Sequence, residues 1–575
     1  MAKKQRKRVA RVEEASETLR GYLLPILGLL ALWVLMEALV NPRGEFPLND
    51  DWCYARAAFT LLREHKLAFL DIVPMTLVSQ AICGALFCLV LGPTFTALRL
   101  STVALGFVGL AATYAMLREA GVPRWIAFFG CAVVALNPLY FNLSNTFMTD
   151  VPFSAFALVS LYLYVLALKR DSLTWAAAGT AMACVATLTR QMGVILPVAF
   201  MAGCLAKDGV RVRSLLRPVG AVVITIGVLL VYQKWLSATG RMTSYYSYQA
   251  KMYSDFLHAD IHKMLAGLWD VVRNAYVYLG LFALPYSIIA LARKWDAISA
   301  RLRRRNWIAA AASFVIVMVN LIHKHQWMPL KKRQGDIIFD FGIGPSLLRD
   351  VSVDSLPNLP TASHWLWVCV SILGALGGAL LVAHVLGAIE AVVARKSEKA
   401  CAANRGFTAL ILTAIILYLA PIVPLTVFAY FDRYFVCAVP LMIILVALTT
   451  GPLEKPARAC VVAALLATLA MGVFTVGAAR DYLEWNRTRW LILDELMVKH
   501  HVPADSIDGG YEFNGWYHYK GPKQRWWRVV RDDYLLAFGP VPAFQEIGRY
   551  PYQRWMPPGE GHILVLRKIR PKDIP

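Results

Sequence analysis

Charge is scarce in this sequence, and acid is scarcer than base. Asp, Glu, Lys and Arg make up only 17% of the 575 residues, and 59 Lys and Arg against 37 Asp and Glu leave a formal charge of +22. A soluble domain averages about 25% charged and roughly 45–50% apolar residues. This chain is 58% hydrophobic with a mean hydropathy of +0.52, a balance that excludes an ordinary soluble fold. Cysteine is present without pattern: among the ten residues there is no CxxC pair and no metal-like spacing. Cys83, Cys88, Cys131, Cys184, Cys204 and Cys460 lie inside apolar runs, and no cysteine follows Arg480, so the last stretch is not a disulfide scaffold. The first apolar run has no small-x-small cleavage site. It reads as an uncleaved span behind the basic tail Lys3-Lys4-Gln5-Arg6-Lys7-Arg8, not as a removable signal.

What the chain does have is length in its apolar runs, about 17–25 residues each, enough to cross a hydrocarbon core. They fall near 21–40, 73–91, 98–117, 125–142, 151–168, 173–189, 191–206, 218–236, 271–292, 307–322, 364–390, 406–428, 434–450 and 457–478. The excess positive charge lies in the short loops between them, the pattern of cytoplasmic loops, and not in a nucleic-acid-binding patch. With the N-terminus inside and all runs crossing, the basic loops at 118–124, 169–170, 207–217 and 293–305 fall outside and break the charge rule. If 73–91 does not cross, these loops and those at 395–405 and 454–458 become cytoplasmic. The sequence therefore predicts an all-α polytopic membrane protein of about thirteen transmembrane helices with the C-terminus outside. The division is a cytoplasmic tail (1–20), a transmembrane domain (21–479) whose first external loop (41–97) holds juxtamembrane helices, and an extracytoplasmic α+β domain (480–575). In the last, the spacing of Tyr482, Trp485, Trp490, Leu493 and Leu496 predicts a helix over 481–500, and runs at 511–519, 534–538 and 562–566 read as strands.

This topology puts the candidate residues on one face. Asp50 and Asp51 follow the first span. A carboxylate there can serve as general base or hold a cation, or cap a helix starting near Trp52. Asp150 opens a span before Val151-Pro152, as catalytic acid or cap. Arg190 occupies a minimal hairpin between two apolar runs and suits phosphate binding or snorkelling; Arg433 occupies a second such hairpin beside Asp432. Lys324, with His323, His325 and Lys331–Arg333, puts external positive charge where an anionic headgroup or phosphate could be drawn. Tyr245 and Tyr246 head an aromatic loop that can stack on a sugar or sit at the headgroup boundary. His258 and His262, at i and i+4, would share a helix face and can bind a divalent metal, with no third ligand assignable.

Four motifs in register resemble the GT-C glycosyltransferases, in particular the protein O-mannosyltransferase and lipid A aminoarabinose transferase group. Asp50-Asp51-Trp52-Cys53-Tyr54 resembles that family's acidic pair followed by Tyr. Asn137-Pro138 with Asp150 resembles its second acidic loop, Leu188–Gly193 with Leu196-Pro197 its basic hairpin, and Asp432-Arg433-Tyr434 with Pro440 its late Arg-Tyr…Pro span. The sequence departs from the pattern at Asp51, where Glu is common, and at Ile72-Val73-Pro74, where a basic residue often precedes the proline. The resemblance implies inverting transfer of a sugar from a polyprenyl-phosphate donor to a lipid, glycan or protein acceptor at the external face of a bacterial inner membrane. Asp50, Asp51 and Asp150 would be catalytic, Arg190, Arg433 and Lys324 would meet the donor phosphate, and Tyr54, Tyr245 and Tyr246 would line the substrate site. A flippase or transporter of lipid-linked sugars and a non-catalytic envelope-assembly subunit are the rival readings. A transporter would show paired broken spans in two repeated halves, and no internal repeat is visible.

Overall fold

The computed structural model describes residues 2–291, 304–330, 335–394, 399–427, 430–451, 457–521, 529 and 531–569. The basic runs at 293–303, 331–333, 395–398 and 454–456 lie outside the described residues. Among the rest, eleven helices are long and apolar enough to cross a bilayer, and a twelfth span forms if Arg124–Ala135 and Pro138–Ser144, bent by 68° at Asn137, count as one. The bend has a local cause. Asn137 Oδ1 accepts from the amides of Leu139 and Tyr140, restarting the helix behind Pro138. With the shorter apolar helix Leu173–Thr187, every expected span has a helix in its place, thirteen in all. The chain is an integral multi-pass membrane protein.

The run set aside as non-crossing is a 14-residue helix, Val78–Leu91, about as long as Leu173–Thr187. Ala81, Ala85 and Cys88 are buried while Leu86, Leu89 and Val90 are exposed, as in a helix lying along an apolar boundary. Its approach is stitched to another hairpin: the Leu77 and Ser79 amides donate to the Thr189 and Leu188 carbonyls, Thr76 Oγ1 to the Thr187 carbonyl, and Gln191 Nε2 to the Pro74 carbonyl.

The two ends of the bundle gather different loops. At one end, Lys169 meets Glu119 at 3.2 Å, Arg217 meets Asp171 at 2.7 Å, Arg305 meets Glu390 at 2.6 Å, and Arg405 Nε donates to the Ala206 carbonyl. These are the described parts of the basic loops. At the other end lie the first loop, the 145–150 turn, the 187–191 and 430–433 hairpins and the C-terminal region.

The last helix runs unbroken from Arg458 to Asp494, so the expected domain border at 480 falls within it. Beyond it stands a four-stranded sheet in the order β3-β4-β6-β5, from Ile507–Asp508 (β3), Tyr534–Ala537 (β4), Phe544–Trp555 (β5) and Pro558–Lys568 (β6); a small hairpin, β1 (Ile338–Phe339) with β2 (Gly342–Ile343), lies earlier in the chain. The Asp481 carboxylate accepts from the Trp555 and Met556 amides and pins the β5–β6 turn to the last helix. One expected strand is a helix instead: Tyr511–His518. Gly510, at φ +91°, turns the chain into it, and a Cβ at Gly515 would lie 2.4 Å from the Trp52 ring, so the helix seats directly on the first loop.

The arrangement predicts that reporter fusions ending after Gly92 and after residue 575 report the same side of the membrane. Opposite signals would refute a non-crossing 78–91 helix.

Candidate functional site

The first loop is held open by a cation within the bundle. Arg99, fully buried in the helix Phe95–Glu119, donates to the carbonyls of Pro42 at 2.5 Å and Phe46 at 3.0 Å and stacks over the Phe46 ring. The chain then turns at Asn49, φ +55°, into the helix Asp51–Glu64.

The two aspartates diverge from there. Asp50 stands at the N-cap but makes no side-chain cap bond. Its Oδ2 instead meets Arg433 Nη2 at 3.2 Å, and its Oδ1 accepts from the Tyr511 hydroxyl at 2.7 Å. Asp51 points inward, 1% exposed. Its Oδ1 accepts from the Phe147 amide at 2.8 Å and its Oδ2 from the Leu48 amide at 3.2 Å. Burial pushes Asp51 up to about 7, against the pull of those two amides. Successive residues on a helix point about 100° apart, so the acidic pair becomes one carboxylate facing the site and one buried clamp between the first loop and the 145–150 turn.

The second acid and base also pair. Arg190 Nη2 lies 3.0 Å from Asp150, and Arg190 Nε donates to Thr149 Oγ1 at 2.7 Å. The hairpin carrying Arg190 is tight because Gly193 packs on Thr187, whose amide would sit 2.3 Å from a Cβ. Tyr54 lies within electrostatic reach of Arg190, Arg433 and Asp50, joining the two ion pairs into one cluster.

In the 430–433 hairpin, neighbours part company. The Asp432 carboxylate accepts from the Ile337 and Ile338 amides at 2.8 Å each and anchors the β1–β2 hairpin. Arg433 turns to Asp50 and is 5% exposed. It lies 4.8 Å from the Phe431 ring centroid, and its Nε and Nη1 have no hydrogen-bond acceptor.

Among the tyrosines, Tyr245 borders Asp50 and Arg433 and is pushed up to about 12 by burial and then by Tyr434, Tyr248 and Asp50. Tyr246 packs toward Tyr232 and Gln191. Lys324 is exposed at the end of the helix Arg304–His323, and among the described residues no hydrogen bond or ion pair ties it to the cluster. The histidine pair does not share a helix face. His258 ends the helix Ser244–Leu257, with Nδ1 2.8 Å from the Ser254 carbonyl, and His262 begins the next helix, Ile261–Leu291. Among the described residues, no group of three or more His, Cys, Asp or Glu could hold a metal ion.

Four contributors were not among the sequence candidates. Tyr511 and Glu512 reach the first loop from the C-terminal region: Glu512 Oε1 accepts from the Asn49 amide at 3.0 Å, and its Oε2 from Arg489 at 2.9 Å in a wholly buried pair. Burial and Asp50 push the Tyr511 hydroxyl well up, so it keeps its proton. Arg99 and Glu37, the latter accepting from Asn145 Nδ2 at 3.2 Å, were detectable as ionisable residues in apolar runs. Tyr511 carries no such signal, since it meets its partner only in the folded chain.

Residues 76–236 match the family described as dolichyl-phosphate-mannose-protein mannosyltransferase. Among solved structures, ArnT from Cupriavidus metallidurans bound to undecaprenyl phosphate aligns over 96% of this chain and 99% of its own at 13% identity and a TM-score of 0.38. The apo form aligns over 94% and 98% at 14% identity and a TM-score of 0.37. No curated protein matches.

The geometry separates the two aspartates experimentally. The folded-state value of Asp51 lies above its unfolded one. Its contribution to stability is therefore complete below about pH 4 and is lost as pH rises through about 7. Asp51→Asn, which sets an amide N–H against one of the two backbone donors, is expected to lower stability by about 1–3 kcal/mol and to flatten this pH dependence in thermal unfolding of the detergent-solubilised protein. Asp50→Asn is expected to leave the unfolding temperature close to wild type.

Proposed function

We propose that this chain transfers a sugar from a polyprenyl-phosphate donor to an acceptor hydroxyl or amine at the extracytoplasmic face, with inversion. The single observation that carries the reading is Arg433, buried, paired on one side with Asp50 and carrying two unpaired donors. The family described by its dolichyl-phosphate-mannose donor supports the same class of substrate for this chain. The charge pattern of the loops supports an external site.

In this reading the acceptor attacks the anomeric carbon as the bond from that carbon to the phosphate oxygen breaks. Asp50 takes the acceptor's proton, and the phosphate leaves with the bonding electrons. Arg433 Nε and Nη1 receive the charge that develops on the departing phosphate. Such donors accelerate the reaction to the extent that they bind the leaving group more tightly than the diester. Arg190, held by Asp150 and Thr149, adds positive potential and fixes the second wall. Tyr54 and Tyr245 flank the sugar. Asp51 acts indirectly, by fixing the turn from which Asp50 projects.

The test compares envelope lipids, glycans and proteins from a deletion strain with those from strains carrying single variants. Mass spectrometry should reveal a sugar-mass increment missing from the deletion strain. Asp50→Asn is expected to abolish the increment at normal protein levels. Arg433→Ala is expected to lower it at least tenfold and to weaken binding of undecaprenyl phosphate by the purified protein. Wild-type product from both variants would overturn the reading.

A further inference from the structure

The C-terminal region does more than cover the bundle. Tyr511 begins the helix Tyr511–His518, and its hydroxyl donates at 2.7 Å to the Asp50 oxygen that Arg433 does not engage. The contact joins residues 461 positions apart. Several independent contacts hold it in place. The Tyr511 amide donates to the Leu347 carbonyl at 3.1 Å. The neighbouring Glu512 carboxylate bridges the Asn49 amide and Arg489. Gly510 leaves room that a side chain would take from Leu347, Leu348 and Arg489. The Tyr511 ring stands edge-on to Trp52, 6.5 Å between centroids. A hydroxyl fixed by so many contacts does not swing to suit a mobile carboxylate. It sets where that carboxylate points.

We infer that Tyr511 is a positioning residue for transfer: it orients Asp50, so the C-terminal region completes the site. The inference rests on the proposed role of Asp50. With Oδ2 on Arg433 and Oδ1 on Tyr511, the carboxylate plane is fixed and the remaining lone pairs face the acceptor. The other groups facing Asp50 are Asp51, Cys53 and Tyr54 on its own helix, Tyr245 from the helix Ser244–Leu257, and Arg433. Of these, Arg433 is also needed by the leaving phosphate. Tyr511 is the donor that can stay on Asp50 throughout the reaction.

The test uses membrane vesicles from cells making the full chain, with their endogenous donor and acceptor, and reads the rate at which the sugar-mass increment appears. Tyr511→Phe keeps the ring against Trp52 and removes only the hydroxyl. A lost hydrogen bond to a charged group predicts a roughly ten- to hundredfold fall in transfer. Undecaprenyl phosphate binding and the unfolding temperature should stay at wild type, so the loss falls on turnover and not on donor binding or folding. Unchanged transfer overturns the inference, as does a loss that merely tracks a lower folded fraction. Asp50→Asn, run beside it, separates the two ideas: if it is inactive while Tyr511→Phe is normal, only the role of Tyr511 fails; if it is active, the proposed function itself fails.

Discussion

The buried carboxylate of Asp51 is the constraint around which this end of the molecule is arranged. Placing an ion where 1% of the residue is exposed costs several kcal/mol unless it is matched by hydrogen bonds and charge. The amides of Leu48 and Phe147, which lie far apart in the chain, and the nearby Arg99 offset part of that cost, and burial still outweighs them. The first loop and the 145–150 turn must therefore meet for either to fold as it does. Once they meet, Asp50 and Asp150, each adjacent in sequence to a clamped residue or turn, face one space. The acid that does not point into the site decides where the acids that do will stand.

The same division of labour recurs at the second hairpin. Asp432 and Arg433 look like a self-neutralising pair, yet Asp432 is consumed by the backbone of the β1–β2 hairpin. That leaves Arg433 to Asp50. At the 187–191 hairpin the roles reverse: Arg190 is held by Asp150 and Thr149. The two guanidinium groups are thus alike in part: each meets one aspartate, and each keeps a nitrogen without a hydrogen-bond acceptor, Nη2 on Arg190 and Nε and Nη1 on Arg433.

The span pattern was legible in the sequence because apolar length and loop charge are local properties. A run of twenty apolar residues needs no tertiary information, and the basic loops report their common end one at a time. The segment at 73–91 stood apart in the sequence only by the inconsistency its crossing would create; in the structure its start, Thr76–Ser79, is hydrogen-bonded to Thr187–Thr189. Site residues were legible as positions but not as directions. Asp50 and Asp51 differ by one residue, and which faces inward is settled by helix phase and by Phe147, almost a hundred residues on. The histidine pair was misread because a spacing of four implies a shared face only inside one helix, and here the chain breaks between them. The 511–519 segment was misread for a similar reason. Its aromatic content suits a strand, but the Gly509-Gly510 turn and the flat face offered by Trp52 favour a short helix.

Glu512 and Arg489 show what tertiary structure adds beyond this. Both side chains are completely buried, and a buried ion pair is by itself weak evidence for stability, since desolvation offsets attraction. Its value here is geometric. The pair fixes the Asn49 amide from one side while Asp51 fixes the Leu48 amide from the other, so the backbone on both sides of the turn is tied before Asp50 projects from it. The residue between the clamps can then carry a half-buried carboxylate whose partners, Arg433 and Tyr511, are side chains and not the backbone of the turn. Desolvated charge spent on the neighbours leaves a reactive group that is positioned yet not itself consumed by folding.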